Sequence, residues 1–595
     1  MSYKAPVKDM LFNMEHLARI DQIARIPGFE EAGLETAQAV LEECARFNED
    51  VVAPLNFEAD KAPSTHSGTS VTVSKGFKQA YRQYTEGGWQ GLQHPVEFGG
   101  QGLPKTIGAA CAEILQGASL SFALCPMLTD GAIEALLTAA SDELKATYLE
   151  KLISGQWTGT MNLTEPQAGS DLAMVRTHAE PQPDGTYRLH GSKIFITYGE
   201  HDMADNIVHL VLARVVGAPE GVKGISLFVC PKFLVGKDGS LGERNDVYCV
   251  GIEHKLGIRA SPTAVLQYGD HGGAVGYLVG EENRGLEYMF IMMNAARYAV
   301  GVQGIAVAER AYQKAVEYAG ERVQSRPVDG SVKGPAAIIH HPDVRRMLMT
   351  MRALTQGCRA MACTAAAAYD AAHHHPDAQV RQQNQAFYEF MVPLVKGYST
   401  EMSLEVTSLG VQVHGGMGFI EETGAAQHYR DARILPIYEG TTAIQANDLV
   451  GRKTARDGGQ TVKAIAAQIE QTEKELAAGS ADAKTVAQRL GAARRAFLDA
   501  VDFIAAQAKT DPNATYAGSV PYLMLTGNLV AGWQLGRALL AAEKQLAAGQ
   551  DAAFMKAKIA TARFYADHIL TRTSGLRDAI VEGAGSVTAL PLDMF

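Results

Sequence analysis

One glutamate in the segment 431–442 could act as a catalytic base. Glu439 follows the apolar run Ile434 to Tyr438 and precedes Gly440, so that it lies just before a predicted helix. Burial beside an apolar ligand would raise the pKa of its carboxyl group, as a base for a weak carbon acid requires. The alternative is a glutamate that stabilises the N-terminus of the next helix through the macrodipole. In isolation the segment favours neither interpretation.

Three other segments could bind a planar ligand. In 161–171, a predicted strand runs into a loop that offers backbone N–H groups and the hydroxyls of Thr164 and Ser170, although an ordinary Pro/Gly turn is the alternative. In 195–197 an aromatic ring stands beside a hydroxyl, but a strand with one buried face would look the same. In 412–419 three glycines permit close backbone approach, and a plain turn between helices is the more common meaning.

The elements that must position these residues change along the chain. Spacing of apolar residues predicts helices from Phe12 to about Leu152, and again from Gly285 to about Arg452 and from Gly458 to Phe595. Between about 155 and 280 the pattern changes to short strands separated by Gly, Asp and Pro turns. No G-x-G-x-x-G motif follows a strand, so a Rossmann fold is not indicated.

We therefore predict a multidomain α+β protein with five regions. These are an N-terminal extension (1–35), an N-terminal helical domain (36–154), a β-sandwich or barrel middle domain (155–283), a helical bundle carrying Glu439 (284–455) and an extra C-terminal helical domain (456–595).

Composition excludes several classes of protein. A net charge of −11 argues against bulk attraction to nucleic acid or anionic membranes. The seven scattered cysteines form no C-x-x-C pair, which indicates a reducing compartment without a zinc motif. The N-terminus resembles neither a secretion signal nor a transit peptide, so we expect a cytoplasmic protein. The apolar stretch Val520 to Ala542 contains polar residues and predicts a buried helix, not a membrane span. The histidines His373 to His375 predict an exposed helix end, and no metal site is expected.

Together these segments resemble the acyl-CoA dehydrogenase family over about residues 40 to 450. The resemblance rests on four motifs: Leu163-Thr164-Glu165-Pro166 with Gly169-Ser170-Asp171, Phe195-Ile196-Thr197, the turn Lys255 to Ser261, and Tyr438-Glu439-Gly440-Thr441. It implies FAD-dependent oxidation of an acyl-CoA thioester to the trans-2-enoyl-CoA. It also implies electron-transfer flavoprotein as acceptor and a homo-oligomer, which we expect to be a dimer.

The resemblance also implies roles for individual residues. Glu439 would take the α-proton while hydride passes to flavin N5. Some branches place the base at the position of Ala296, which cannot take a proton. Arg322 would reach the FAD of a neighbouring subunit. The expected cofactor-binding residues are Met161, Leu163, Thr164, Phe195, Ile196, Thr197, Arg322, Gln324, Gln412, Gly416 and Thr441. The expected substrate-binding residues are Ser170, Arg297 and Gly440.

The extra segments at both ends narrow the resemblance but leave the substrate open. They are similar to a long bacterial branch that includes 3-methylmercaptopropionyl-CoA dehydrogenase. The thioether 3-methylmercaptopropionyl-CoA and medium or long straight-chain acyl-CoA are therefore both candidate substrates. An acyl-CoA oxidase that uses O₂ is an alternative. So is a nucleic-acid-binding homologue, although residues 451–595 contain 17 Lys and Arg against 14 Asp and Glu, with no basic run.

Overall fold

The N-terminal region is helical with one short hairpin. The computed structural model of the protein describes residues 3–595. The hairpin consists of β1 (Thr65–Ser67) and β2 (Ser70–Thr72), in a segment whose sequence predicts helix. The helices are α1 (Val7–His16), α2 (Ile20–Ile23), α3 (Leu34–Phe47), α4 (Asn56–Lys61), α5 (Phe77–Glu86), α6 (Lys105–Ala118), α7 (Leu120–Ala139) and α8 (Asp142–Ile153).

The middle region is a small closed barrel with further strands at its sides. Its strands are β3 (Trp157–Asn162), β4 (His178–Pro181), β5 (Tyr187–Thr197), β6 (Asn206–Val215), β7 (Ser226–Pro231), β8 (Phe233–Val235), β9 (Leu241–Arg244), β10 (Val247–Ile252), β11 (Thr263–Tyr268) and β12 (Ala274–Val279). The ring β5-β12-β7-β6-β4 closes because β4 pairs with both β5 and β6. β11 and β10 continue from β5, and β3 lies parallel to β6. This confirms the predicted α+β class with a β middle domain.

Strand β5 is longer than its sequence pattern suggests. The sequence pattern predicts separate strands over 187–190 and 193–197, but the structure has one strand through Gly191. Gly191 has φ +147°, and a Cβ there would lie 2.9 Å from the Cα of Thr177. The glycine therefore permits close packing of two chain segments and does not form a turn.

The bundle follows the barrel and carries the predicted base. Its helices are α9 (Gly285–Glu321), α10 (Pro342–His374), α11 (Ala378–Pro393), α12 (Ser399–His414), α13 (Ala425–Ala432) and α14 (Thr442–Val450). A π-helical segment, Leu394–Tyr398, joins α11 to α12. Glu439 lies in the loop between α13 and α14. As predicted, the histidine run forms the exposed end of α10.

The C-terminal helices share a hydrophobic core with the bundle. They are α15 (Gln460–Ala477), α16 (Ala481–Gln507), α17 (Pro512–Ala517), α18 (Ser519–Ala547), α19 (Ala552–His568), α20 (Thr573–Val581) and α21 (Ala584–Val587). Val406 and Leu449 of the bundle belong to one buried cluster with Leu490, Leu523 and Leu529 of this region. The C-terminal region is thus packed on the bundle through apolar side chains.

A buried ion cluster ties the N-terminal extension to the rest of the protein. The Arg359 guanidinium on α10 donates to the carboxylates of Asp9, Glu113 and Glu309, with N···O distances of 2.9, 2.8 and 2.8 Å. Lys558 on α19 also donates to Asp9, at 2.6 Å. Four regions of the chain therefore meet at one charged cluster inside the protein.

Among residues 3–595, two helices are long and apolar enough to cross a membrane, and both are core helices here. In α7 and α9 the most apolar 18-residue windows are 83% and 67% buried inside the protein. The stretch Val520 to Ala542 lies within α18, whose apolar side chains are also mostly buried. The apolar character of these helices is explained by burial in the protein.

Candidate active site

The loop that carries Glu439 has an unusual backbone. Glu439 has φ +54° and Gly440 has φ +88°, so two successive residues adopt the left-handed region. Glutamate rarely does so, because its Cβ crowds the backbone. Thr441 then caps α14, its hydroxyl accepting a hydrogen bond from the Ile444 N–H at 3.3 Å. The expected flavin contact at Thr441 therefore already has a structural role.

Three side chains from neighbouring helices fix this loop. The Lys396 Nζ donates to the carbonyl oxygens of Leu435 and Gly440 at 2.8 and 2.7 Å. The Thr442 hydroxyl donates to Glu401 at 2.5 Å. The Tyr438 hydroxyl donates to the Gln303 Oε1 at 2.5 Å. The loop is thus held by α9, α12 and the π-helical segment.

The surroundings of Glu439 bring the pKa of its carboxyl group close to neutral pH. Burial raises the pKa of Glu439 to about 7, while the positive charges of Lys396 and Arg297 oppose that rise. Burial also lowers the pKa of Lys396 to about 7, against the attraction of Glu439. A carboxyl group with this pKa can accept a proton from a carbon acid and release it again.

Arg297 lies beside Gly440 with an unused hydrogen-bond donor. Its Nε is buried and has no hydrogen-bond partner among the described residues, and it lies 3.7 Å from where a Cβ on Gly440 would be. Buried polar groups are normally paired, so this N–H is available to a ligand. The predicted substrate-binding residues Arg297 and Gly440 therefore lie side by side, next to Glu439. Ser170 is exposed on the loop that follows β3, and its role stays a prediction.

The predicted flavin residues of the β-domain lie on two segments that the structure joins. The Ile194 N–H donates to the Thr164 carbonyl at 2.9 Å. The Lys193 Nζ donates to the Leu163 carbonyl at 2.9 Å and to the Glu165 carboxylate at 2.8 Å. Segments 163–164 and 195–197 are thus neighbours, held by a buried lysine.

Phe195 combines a left-handed backbone with an exposed aromatic ring. It has φ +59°, and its side chain is 59% exposed. It lies where the register of β5 against β11 shifts. An exposed aromatic ring on a bulge beside Thr164 and Thr197 offers apolar area and hydrogen-bonding groups to a flavin. The residues present therefore fit FAD.

Two other predicted cofactor residues, Ile196 and Met161, have buried side chains. Ile196 is 1% exposed and its side chain packs in the barrel core, so only its backbone could meet a flavin. Met161 lies within β3 and is also buried.

The β-domain contacts the end of α13, the helix that precedes the loop carrying Glu439. The Ile258 N–H, in the turn before β11, donates to the Asp431 carboxylate at 2.6 Å. A Cβ on Gly257 would lie 2.3 Å from the Arg430 carbonyl oxygen, so only glycine fits there. This contact fixes the distance between the flavin-side segments and the helix that leads to Glu439.

The remaining predicted cofactor residues lie together at a distant end of the bundle. Arg322 caps the C-terminus of α9, Gln324 follows it, and Gln412 and Gly416 lie at the end of α12. The rings of Tyr318 and His414 stack at 4.4 Å, which joins the two helix ends. Along α9, Arg322 is about 37 Å from Arg297, at about 1.5 Å per residue.

Sequence reasoning missed Lys396, Gln303 and Asp431. Lys396 had a visible signal, since it is a single cation within the apolar run Met391 to Tyr398, and fully buried lysines are rare. Gln303 and Asp431 gave no comparable signal. One possible group of metal ligands exists among residues 3–595: His178, Glu180 and His190, on the barrel strands β4 and β5. None of the predicted site residues belongs to it.

Comparison with known proteins matches almost the whole chain. Models of the N-terminal, middle and C-terminal domains of acyl-CoA dehydrogenase match residues 34–156, 160–270 and 283–453. A model described as "Acetyl-CoA dehydrogenase C-terminal like" matches 462–591.

Individual relatives cover both ends of the chain as well. The 3-methylmercaptopropionyl-CoA dehydrogenase of Ruegeria pomeroyi is 57% identical over 592 residues and all of both chains. The broad-specificity linear acyl-CoA dehydrogenase FadE5 of Mycobacterium tuberculosis is 36% identical over 97% of both. The crystal structure of an acyl-CoA dehydrogenase from Bacillus anthracis, complexed with FAD, aligns with a TM-score of 0.73, 22% identity, and coverage of 94% of this chain and 89% of that one.

Proposed function

The chain belongs to the acyl-CoA dehydrogenase family and is an FAD-dependent acyl-CoA dehydrogenase, and from this premise we propose that its substrate is 3-methylmercaptopropionyl-CoA. The observation that carries the proposal is the 57% identity, over the full length of both chains, to an enzyme named for that substrate. Medium and long straight-chain acyl-CoA thioesters are the competing substrates.

Glu439 is the base in the proposed mechanism. Its carboxylate takes the α-proton of the thioester, and bound FAD supplies the acceptor for the β-hydrogen and its two electrons, so that a carbon–carbon double bond forms. Leu163, Thr164, Phe195 and Thr197 would hold the FAD. The unpaired Arg297 N–H beside Gly440 would meet the CoA thioester and orient it toward the carboxylate.

A buried amide near the base supports a thioether substrate. Gln303 is fully buried, and its Oε1 accepts from the hydroxyl of Tyr438, the residue before Glu439. Its Nε2 donates to the Met127 sulfur at 3.3 Å. A thioether sulfur is a weak acceptor, and this amide already binds one within the protein. The Gln303 amide carries a second N–H, which a substrate sulfur near Tyr438 would accept.

Anaerobic titration of the purified holoenzyme tests the substrate. The matched pair is 3-methylmercaptopropionyl-CoA and pentanoyl-CoA, in which a methylene replaces the sulfur, with octanoyl-CoA and palmitoyl-CoA as longer chains. We expect the thioether to bleach the flavin at the lowest concentration and with the largest rate constant. Equal or faster bleaching by octanoyl-CoA would contradict this substrate and leave the acyl-CoA dehydrogenase activity intact.

Replacing Gln303 tests the thioether contact. Gln303→Leu removes the amide at nearly constant volume, and a neutral hydrogen bond contributes about 0.5–1.5 kcal/mol. We expect the preference for the thioether over pentanoyl-CoA, as a ratio of kcat/KM values, to fall about two- to tenfold. Because Gln303 also holds the Glu439 loop through Tyr438, the rates with both substrates should fall, and only the ratio isolates the contact with the sulfur. An unchanged ratio would show that Gln303 does not read the sulfur.

A homodimer is the assembly that the distant cofactor residues support. Arg322, Gln324, Gln412 and Gly416 lie at the ends of α9 and α12, about 37 Å along α9 from Arg297. Several large apolar side chains at or near that end are exposed, as expected of an interface: Val323, Val328, Met417, Phe419 and Ile420. Each chain would thus complete the cofactor site of its partner.

Electron-transfer flavoprotein is the proposed acceptor, and O₂ is the alternative. Reoxidation of the substrate-reduced enzyme in air, with peroxide formed at the rate of turnover, would identify an oxidase instead. A role in acyl chain oxidation in the cytoplasm completes the proposal. The seven cysteines, all free thiols in the structure, support a reducing compartment.

A further inference from the structure

Lys396 is a buried lysine that takes no part in the proposed transfer of the proton and the hydride. Its side chain has no exposed surface. It lies in the π-helical segment Leu394–Tyr398, and π-helical turns are frequent at functional sites. Its Nζ makes two hydrogen bonds, to the carbonyl oxygens of Leu435 and Gly440. A lysine placed there for packing alone would carry a high desolvation cost.

The two carbonyl acceptors lie on either side of the base in sequence. Leu435 precedes Glu439 by four residues, and Gly440 follows it directly. Between them the chain enters the left-handed region twice, at Glu439 and Gly440. A glutamate in that conformation persists only where its surroundings hold it. Lys396 holds the two ends of this strained stretch with one ammonium group.

We propose that Lys396 is a positioning residue for the dehydrogenation, which holds the Glu439 carboxylate in its reactive orientation and favours the ionised form of that carboxylate. This inference rests on the proposed role of Glu439. Lys396 itself contacts backbone carbonyls and is not the group that takes the proton.

The charges around the pair define the direction of its pH effect. Arg297 from α9 and Glu401 from α12 act on Lys396, and Asp448 and Arg452 act in turn on Arg297. Lys396 and Arg297 both lower the pKa of Glu439 and so oppose the effect of burial. Loss of the Lys396 charge must therefore raise that pKa above its value of about 7. More of the base is then protonated, and inactive, at neutral pH.

Lys396→Met is the first test, measured on FAD-loaded enzyme. The methionine nearly keeps the length of the side chain but removes the charge and the hydrogen bonds to the carbonyls of Leu435 and Gly440. We expect the rate constant of anaerobic flavin reduction at pH 7 to fall about 10²-fold, since small misplacement of a reacting group has effects of this size. The acidic limb of the pH–rate profile should move up by about one pH unit, so that part of the loss is recovered at pH 9. KM should change much less than kcat.

Three further variants separate this role from a structural one. Lys558→Met is the matched control, because Lys558 is an equally buried lysine that binds Asp9 far from the loop. It should lower stability without moving the pH limb. Lys396→Arg keeps the charge and should restore the position of the limb. Lys396→Gln lacks the charge but can donate, and it carries the same test if the methionine variant does not fold.

The outcomes also distinguish this inference from the proposed function. An unshifted pH limb with a rate constant within about twofold of the wild type, in either uncharged variant, would overturn the role of Lys396 alone. A Glu439→Gln enzyme that still reduces its flavin would overturn the proposed base, and the Lys396 inference with it.

Discussion

Glu439→Gln is expected to lose almost all flavin reduction while it keeps its FAD. Glutamine has the shape of glutamate but cannot accept the α-proton, and loss of a positioned base costs about 10²–10⁴ in rate. The segments proposed to hold the flavin, 163–164 and 195–197, belong to the β-domain and do not depend on this carboxyl group. The measurement is stopped-flow bleaching of the flavin by saturated acyl-CoA without oxygen, together with the FAD content of the purified variant.

Glu97→Gln is the matched control for that variant. Glu97 is exposed on a short 3-10 helix of the N-terminal domain, so the same chemical change should leave the reduction rate within about twofold of the wild type. A Glu439→Gln enzyme that bleaches as fast as this control would refute the assignment of the base. The carboxylate would then have only a structural role in the loop.

The candidate catalytic motif could be found in the sequence because its signals are local. The glutamate before glycine, the hydroxyl-rich loop after β3 and the aromatic at 195 are each contiguous in the chain. The order of helical and β regions was also predictable, because apolar spacing of three to four or of two residues is a local property. The structure confirms the fold class, and it brings the two flavin-side segments together.

What the sequence missed depends on distant contacts. Strands β1, β2, β4, β8, β9 and β12 were not predicted, because they are short, and strand pairing is set by the partner strand more than by intrinsic preference. β4 closes the barrel only because it meets both β5 and β6. Lys396 is 43 positions before Glu439 in the chain, and only the folded bundle brings it under the base loop. The role of Lys396 thus follows from tertiary packing and not from any motif.

The Arg359→Met variant is expected to be strongly destabilised. Arg359 is 3% exposed and binds three carboxylates that are themselves at most 10% exposed. Asp9 retains Lys558 in the variant, but Glu113 and Glu309 lose their shared cation. Removing one partner of a buried ion pair costs about 3–5 kcal/mol, because an uncompensated charge stays buried. Urea denaturation followed by circular dichroism and flavin fluorescence should show this loss in the midpoint.

The pH dependence of that loss identifies its cause. Burial raises the pKa of Glu113 in the folded protein against the lowering effect of Arg359. Without the guanidinium this pKa rises further, so the folded variant binds a proton that the unfolded chain does not. Its stability relative to the wild type must then fall as pH rises, and the deficit should be larger at pH 8 than at pH 5. Adding Glu113→Gln should restore part of the lost stability.

Arg572→Met is the control, since its pair with Glu405 is 41% and 37% exposed and such pairs contribute at most about 1 kcal/mol. An equal loss in both arginine variants, independent of pH, would mean that packing and not charge holds the N-terminal helix to the bundle.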